Sequence, residues 1–338
     1  MRAAIFRGAG KPLAIEEVPD PQPGRSDVLV KIGRCGVCGT DLHTTSGHGA
    51  DLPIGSQLGH EYAGEVIEVG PGVSNGLKTG AKVSVMPVSG CGACAWCLSG
   101  NPMSCQGAFR MQTSGFAEYV AVDQSAAILL PQSLSLADGA LVEPLGVGLH
   151  GVVQADIKPG AKVLVLGAGS VGLAAIFWAR RLGAGRIVAA SPSARRAAMA
   201  GAMGADGFET LGEGEAERIN AALGGPPDVV FECAGAVGLL AKSAELVRVG
   251  GVVVSLGFCM APDTIVPAMA TLKQLTLKFS YTYTKPEFIH CADVLDQGHV
   301  EPRMMITDTI SLDAFPARLE QMRAGEPVTK LMVDPWMK

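Results

Sequence analysis

Cys91, Cys94, Cys97 and Cys105 crowd into one short segment. Four thiolates at such spacing can close a tetrahedral shell around one zinc ion, and a shell with every position filled is the structural kind. Small residues between them, Gly92, Ala93 and Ala95, let the chain fold back. An iron–sulfur cluster also takes four thiolates, so spacing alone leaves both open. A second group is scattered. Cys38 sits in a glycine-flanked turn, His60 and Glu61 are adjacent, and Glu143 lies among Leu and Val just before Pro144. A thiolate, an imidazole and a carboxylate with one position left open make a catalytic zinc site. Glu143 is costly to bury in an apolar stretch unless a cation balances it. Taken singly, Cys38 also suits a small core residue, His60 a hydrogen-bonded interior imidazole, and Glu143 a helix N-terminal acid.

A third group is Gly167-Ala168-Gly169-Ser170-Val171-Gly172, a G-x-G-x-x-G run. Gly167 permits a tight turn, Gly169 lets the backbone approach a pyrophosphate, and Gly172 lets a helix pack close to a sheet. The phosphates then meet a helix N-terminus, whose unpaired N–H groups favour anions. An acid about 20 residues further on would bind the ribose of NAD. The chain has Ser191 there, with Arg195 and Arg196 close behind. No carboxylate would repel a 2′-phosphate and two guanidiniums could pair with one, so NADP(H) is expected over NAD(H).

These groups need elements to hold them. Asp27–Gly33, Ala63–Gly70 and Ala81–Met86 read as strands bounded by Gly, Pro or Asn, so the first 130 residues or so are β-rich. Residues 90–107 form a Cys/Gly-rich insertion. From Lys158 the pattern changes. KPGAKVLVLGAG reads as turn, buried strand and glycine loop, and 171–184 has helical spacing. RIVAAS, DVVFECAG and GGVVVSLG are further strands with helical stretches at 193–203 and 237–248, an alternation that predicts a doubly wound parallel sheet. Gly250–Gly257, apolar and uncharged, is expected to be the edge strand and to pair with a second subunit.

Composition narrows the class. The 338 residues suggest two domains, and 48% hydrophobic with 17% charged residues leaves ample core. The net charge of −5 without a basic block argues against a nucleic-acid partner. No run of 18 apolar residues stands out, so no membrane span is expected. The opening segment lacks a signal-peptide core. A cysteine cluster without an export signal reads as metal binding in a cytoplasmic protein.

Gly59-His60-Glu61 with Gly64 and Gly70 resembles the G-H-E-x2-G-x5-G signature of the zinc-dependent medium-chain alcohol dehydrogenases. The Cys91–Cys105 segment resembles that family's structural zinc lobe. The order Cys38, His60-Glu61, four cysteines, Glu143-Pro144, glycine loop matches along essentially the whole chain. Glu143 stands where classical members have a cysteine, as in the sorbitol and threonine dehydrogenase branch. The resemblance implies an α/β fold. Its GroES-like β-rich catalytic domain would take residues 1–148 and 281–338, and its Rossmann doubly wound parallel-sheet domain residues 149–280. It implies a catalytic zinc held by Cys38 and His60, with Glu61 and Glu143 competing for the remaining position, and a second, structural zinc. Asp41 would orient His60, and Thr40 and His43 match proton-relay positions. The implied reaction is hydride transfer between a secondary alcohol or diol, or the matching ketone, and the nicotinamide. A homodimer or homotetramer is implied.

One departure bears on substrate. Phe279-Ser280-Tyr281 has serine where sorbitol-type enzymes carry arginine beside tyrosine, which sets polyol specificity in question. Phe109, Met111, Phe116, Phe258 and Tyr281 would give a fairly apolar pocket. A zinc-free quinone or enoyl reductase would not need Cys38, His60 and Glu143 together. A non-catalytic dinucleotide-binding sensor or scaffold would not need the relay.

Overall fold

The computed structural model describes residues 1–49 and 51–338. The chain divides into two compact units, Met1–Glu143 with Thr284–Lys338, and Pro144–Tyr283.

The first unit is built on a seven-stranded sheet. Its long central strand, Asp27–Gly36, pairs antiparallel with Glu61–Val69 along nearly its whole length, with Tyr119–Asp123, and with Lys330–Asp334 from the C-terminal segment. Val28, Val30, Ile32 and Cys35 are buried, the period-two pattern broken only near the strand's end. Two glycines permit the close strand approach. A Cβ on Gly64 would collide with the Lys31 carbonyl, and one on Gly70 with the Gly24 carbonyl. Glu61 opens its strand rather than preceding it.

The second unit is a six-stranded parallel sheet. Its spatial order is Gly207–Thr210, Arg186–Ser191, Lys162–Leu166, Val229–Glu232, Val252–Ser255, Thr276–Phe279. In chain order this is 3-2-1-4-5-6, the doubly wound arrangement whose ligand crevice lies at the carboxyl ends of the strands. Leu164, Leu166, Val188, Val230, Val253, Ile219 and Leu223 form one core cluster. The buried indole of Trp178 is satisfied by donating to the Leu145 carbonyl at 2.9 Å. The expected edge strand is corrected here. Val252–Ser255 lies between two partners, and Thr276–Phe279, a strand that the alternation reading passed over, takes the edge. Its TLKF sequence carries a lysine and only two apolar residues, too weak a pattern to announce a strand.

The helix Leu136–Ala155 belongs in part to each unit. It is long and apolar enough to cross a membrane by length and hydropathy, which the sequence reading did not foresee because Asp138 and Glu143 interrupt it. Of an apolar 18-residue stretch within it, 72% is buried inside the protein, as befits a core helix. Its first turns lie on the sheet of the first unit. The Ser84 hydroxyl donates to the Gly139 carbonyl at 2.7 Å, and Gly139 packs against Ala63 and Leu130. One turn further on comes Glu143. Pro144 follows inside the helix; it has no N–H to return to Ala140.

Candidate active site

Cys38 is the residue before the short helix Gly39–Thr45, and His60 and Glu61 arrive on the neighbouring strand. One ligand atom from each of the three lies within 4.8 Å of the other two. Residues distant in sequence thus meet, as a shared ion requires. Asp41 is buried under this group. Its Oδ2 accepts the Cys38 N–H at 2.9 Å, and its Oδ1 stands 3.7 Å from His60 Nδ1. That second distance is a charge contact rather than a hydrogen bond. The Thr40 hydroxyl is 3.5 Å from His60 Nε2. His43 lies one turn after Thr40 on the same helix and is exposed.

The electrostatics of the group fit a cation. Burial opposes charge on His60, yet Asp41, Cys38 and Glu143 outweigh it and hold the imidazole pKa well above its usual value. A divalent ion would balance the same negative groups, and binding it requires the neutral imidazole and the thiolate. Glu143 is buried but stands outside the three-residue donor set; its charge reaches His60 and Lys330.

Lys330 is a buried neighbour of the group that sequence reasoning missed. It is 1% exposed, and its Nζ donates to Glu61 Oε1 at 2.6 Å, Glu61 Oε2 at 2.5 Å and the Val37 carbonyl at 3.1 Å. Burial lowers its pKa, but Glu61 and Cys38 more than offset this and raise it, so the ammonium stays charged. The only signal was a lysine opening the apolar run Leu331–Val333; its partner is 269 residues away in the chain. Gly36 makes room for the pair, since a Cβ there would strike the Glu61 carboxylate.

The four-cysteine lobe has the geometry of a single-ion shell. Cys91 Sγ and Cys97 Sγ are 3.9 Å apart, and Cys94 Sγ and Cys105 Sγ 4.0 Å. Zinc–sulfur bonds of about 2.3 Å in a tetrahedron give edges of about 3.8 Å. A disulfide would need about 2 Å, and all nine cysteines are free. A polynuclear cluster would hold the sulfurs further apart. The Cys97 and Gln106 backbone groups pull the Cys94 thiol down to about 6, while burial pushes Cys97 up to about 12. Gly90 accommodates Cys97: a Cβ there would collide with its sulfur.

In the second unit the three glycines of the loop serve three different needs. Gly167 has φ +96°, and a Cβ there would lie 2.9 Å from Ala234 Cβ. A Cβ on Gly172 would collide with the Gly167 carbonyl. Gly169 has open space around its missing Cβ, the room a pyrophosphate needs beside the helix Ser170–Arg181 that starts there. Ser191 is buried, and its hydroxyl accepts the Ala168 N–H at 2.9 Å, tying the loop to the next strand. Arg195 donates to the Ser193 hydroxyl at 3.2 Å, and Arg196, with its pKa lowered by burial, lies in the turn that follows.

One expected pocket residue is placed in the core instead. Phe116 is fully buried with its ring 4.4 Å from that of Phe315, so it is core. Met111 sits exposed on the small ribbon formed with Val88–Ser89. Phe109 is exposed too, and Phe258 and Tyr281 form an exposed stacked pair with centroids 6.1 Å apart.

Comparison with known proteins decides the family. Residues 24–132 match the alcohol dehydrogenase GroES-like domain, and residues 170–297 match the zinc-binding dehydrogenase family. The chain belongs to the zinc-dependent medium-chain alcohol dehydrogenases. It is 31% identical to the sorbitol dehydrogenase of Bacillus subtilis (strain 168), covering 99% of this chain and 97% of that one. A zinc-binding dehydrogenase from Sinorhizobium meliloti 1021, solved bound to NADP, is 32% identical with a TM-score of 0.88 over 99% of both chains. The 2R,3R-butanediol dehydrogenase of Bacillus subtilis is 28% identical with a TM-score of 0.87, again over 99% of both. As a member of this family the chain is an oxidoreductase with a GroES-like domain and a Rossmann domain.

Replacing Lys330 with Met should destabilise the protein by about 3–5 kcal/mol, because it strands a buried carboxylate. Adding Glu61→Gln should recover much of the loss. Urea denaturation of the single and double variants checks this; equal losses in both would show that packing, not charge, is at stake.

Proposed function

We propose that this enzyme interconverts a secondary alcohol or diol and the matching ketone with NADP(H), at a zinc ion held by Cys38, His60 and a glutamate. The convergence of Cys38, His60 and Glu61 donor atoms within 4.8 Å carries the reading. In this reading residues 1–148 and 281–338 carry the metal chemistry and 149–280 the dinucleotide. Glu61 is the carboxylate within reach, its donor strength tempered by Lys330. Glu143 is the second carboxylate of the site. When bound, zinc supplies Lewis acidity to the substrate oxygen, and the nicotinamide takes or gives the hydride.

The chain's own residues do the rest. Asp41 holds the Cys38 turn through its backbone N–H and faces His60 Nδ1, fixing the ring. Thr40 Oγ1 accepts the substrate proton as its own hydroxyl proton passes on to the His43 ring, and the exposed His43 releases a proton to solvent. Cys91, Cys94, Cys97 and Cys105 hold a second zinc that stiffens their lobe. Gly167, Gly169, Ser170, Val171 and Gly172 receive the pyrophosphate. Ser191, Arg195 and Arg196 favour a 2′-phosphate, and the NADP-bound relative supports that preference. Ser280, in place of arginine, argues for a diol or simple secondary alcohol, and the butanediol-oxidising relative is in keeping with it. Unpaired thiols suit a reducing cytoplasm. A homodimer or homotetramer is supported by the free Thr276–Phe279 edge with Val266, Leu272 and Phe279 exposed beside it.

Cys38→Ala should lose the catalytic zinc and nearly all turnover while keeping the four-cysteine zinc; metal analysis showing no loss of zinc would refute the ligand assignment. The ratio of kcat/KM for NADP over NAD should exceed one and fall when Arg195 and Arg196 become alanine. A strong NAD preference in the parent enzyme sinks the cofactor assignment. Sedimentation at micromolar concentration should show an oligomer, and a monomer alone would overturn the edge-pairing reading.

A further inference from the structure

The strand Val229–Glu232 ends on an acid that nothing above uses. Glu232 is 3% exposed, and its hydrogen-bond partners are neutral groups. Oε1 accepts two backbone N–H groups, from Ala234 at 2.8 Å and Gly235 at 2.7 Å. Oε2 lies 3.4 Å from the Ser255 hydroxyl. The Glu232 carbonyl accepts two more N–H groups, from Leu256 at 2.7 Å and Gly257 at 2.9 Å. One residue therefore ties together the turns that follow two neighbouring strands. A buried carboxylate is costly, and charge-assisted bonds to N–H groups are what offset the cost.

These turns are packed without slack. A Cβ on Gly257 would strike the Glu232 carboxylate, and one on Gly235, which has φ +67°, would lie 2.8 Å from the Phe258 nitrogen. The contact that matters is with the glycine loop. Ala234 occupies the space beside Gly167, its Cβ and N lying 2.9 and 3.0 Å from where a Gly167 Cβ would be. The next residue back, Cys233, donates to the Leu166 carbonyl at 2.8 Å, just ahead of Gly167. The carboxylate thus holds Ala234, and Ala234 walls the left-handed turn at Gly167.

We propose that Glu232 is a positioning residue for the dinucleotide. By pinning Ala234 and Gly235 it holds the Gly167 turn, and so the N–H groups at the start of the Ser170–Arg181 helix, in the binding geometry before the phosphates arrive. A loop ordered in advance costs less to order on binding, so affinity is where the effect is felt. The proposal rests on the assignment of the glycine loop to a dinucleotide. It adds a residue that contacts neither phosphate nor substrate.

The test measures equilibrium dissociation constants of NADPH and NADH by fluorescence on the zinc-loaded enzyme, beside zinc content and kcat at saturating dinucleotide. Glu232→Ala should weaken binding about tenfold or more, since two N–H groups lose their acceptor. Glu232→Gln keeps an acceptor oxygen and should stay within about threefold of the parent. Zinc content and saturated kcat should hold in both. A lowered melting temperature with unchanged dissociation constants in Glu232→Ala would overturn the proposal. If Glu232→Ala does not fold, Ala234→Gly decides, as it keeps the carboxylate and removes only the methyl against Gly167. Weaker binding there supports the proposal and unchanged binding overturns it. A parent enzyme that binds neither dinucleotide defeats the glycine-loop assignment itself, an outcome seen before any variant is made.

Discussion

Placing ionic groups in a protein interior imposes one rule: each must meet a counter-charge or a full set of hydrogen bonds. The active-site side of this enzyme is organised around that rule. Glu61, Asp41, Glu143 and the Cys38 thiol crowd about one imidazole. Lys330 reaches in from the C-terminal segment to balance Glu61. The pairing of Lys330–Asp334 with the central strand Asp27–Gly36 is therefore more than sheet extension. It delivers the ammonium to the floor of the site, and Gly36 leaves the space through which the two side chains meet. The C-terminal segment must join the N-terminal unit for this reason as well as for burial.

The glycine loop at Gly167–Gly172 solves a different problem with backbone instead of side chains. An anion at a helix start is met by N–H groups, so a chain that binds one there must come close, and glycine is the residue that lets it. Gly167 answers a conformational need, Gly172 a packing need, and Gly169 keeps a surface clear. Neighbouring turns must then be fixed as firmly as the loop they touch. A buried acid does that at Glu232, whereas the buried acid beside Cys38 and His60 is met by a lysine. The difference follows from the partners: two N–H groups and the Ser255 hydroxyl meet the Glu232 carboxylate, whereas Glu61 lies among other negative groups.

The four-cysteine lobe shows what happens where neither device is present. Trp96, Leu98 and Phe109 are exposed there, so apolar burial contributes little locally. Four sulfurs near tetrahedral spacing supply the organising contact instead. A metal shell can stand in for a core in a segment this short, because ligand bonds are strong and directional where small hydrophobic clusters are weak.

Local patterns in the chain were enough for several conclusions. The four clustered cysteines, the strand–glycine–helix run and the β-α alternation each speak within a few tens of residues, so periodicity and spacing reveal them. The resemblance carried by the G-H-E run and its companions reached the family, and it named Cys38, His60, Glu61 and Glu143 as candidate donors, of which the fold brings the first three within 4.8 Å of one another. Tertiary structure alone decided the rest. Lys330 and Glu61 are paired across nearly the whole chain, Phe116 is core because Phe315 packs on it, and Val252–Ser255 is internal because a weakly patterned strand covers its flank. Leu136–Ala155 is membrane-like in composition yet interior, because both halves find protein to pack against. The division has a physical cause. Turn chemistry and ligand spacing are properties of neighbours in sequence, whereas a counter-charge, a packing partner or a strand edge belongs to neighbours in space, and those exist only once the chain has folded.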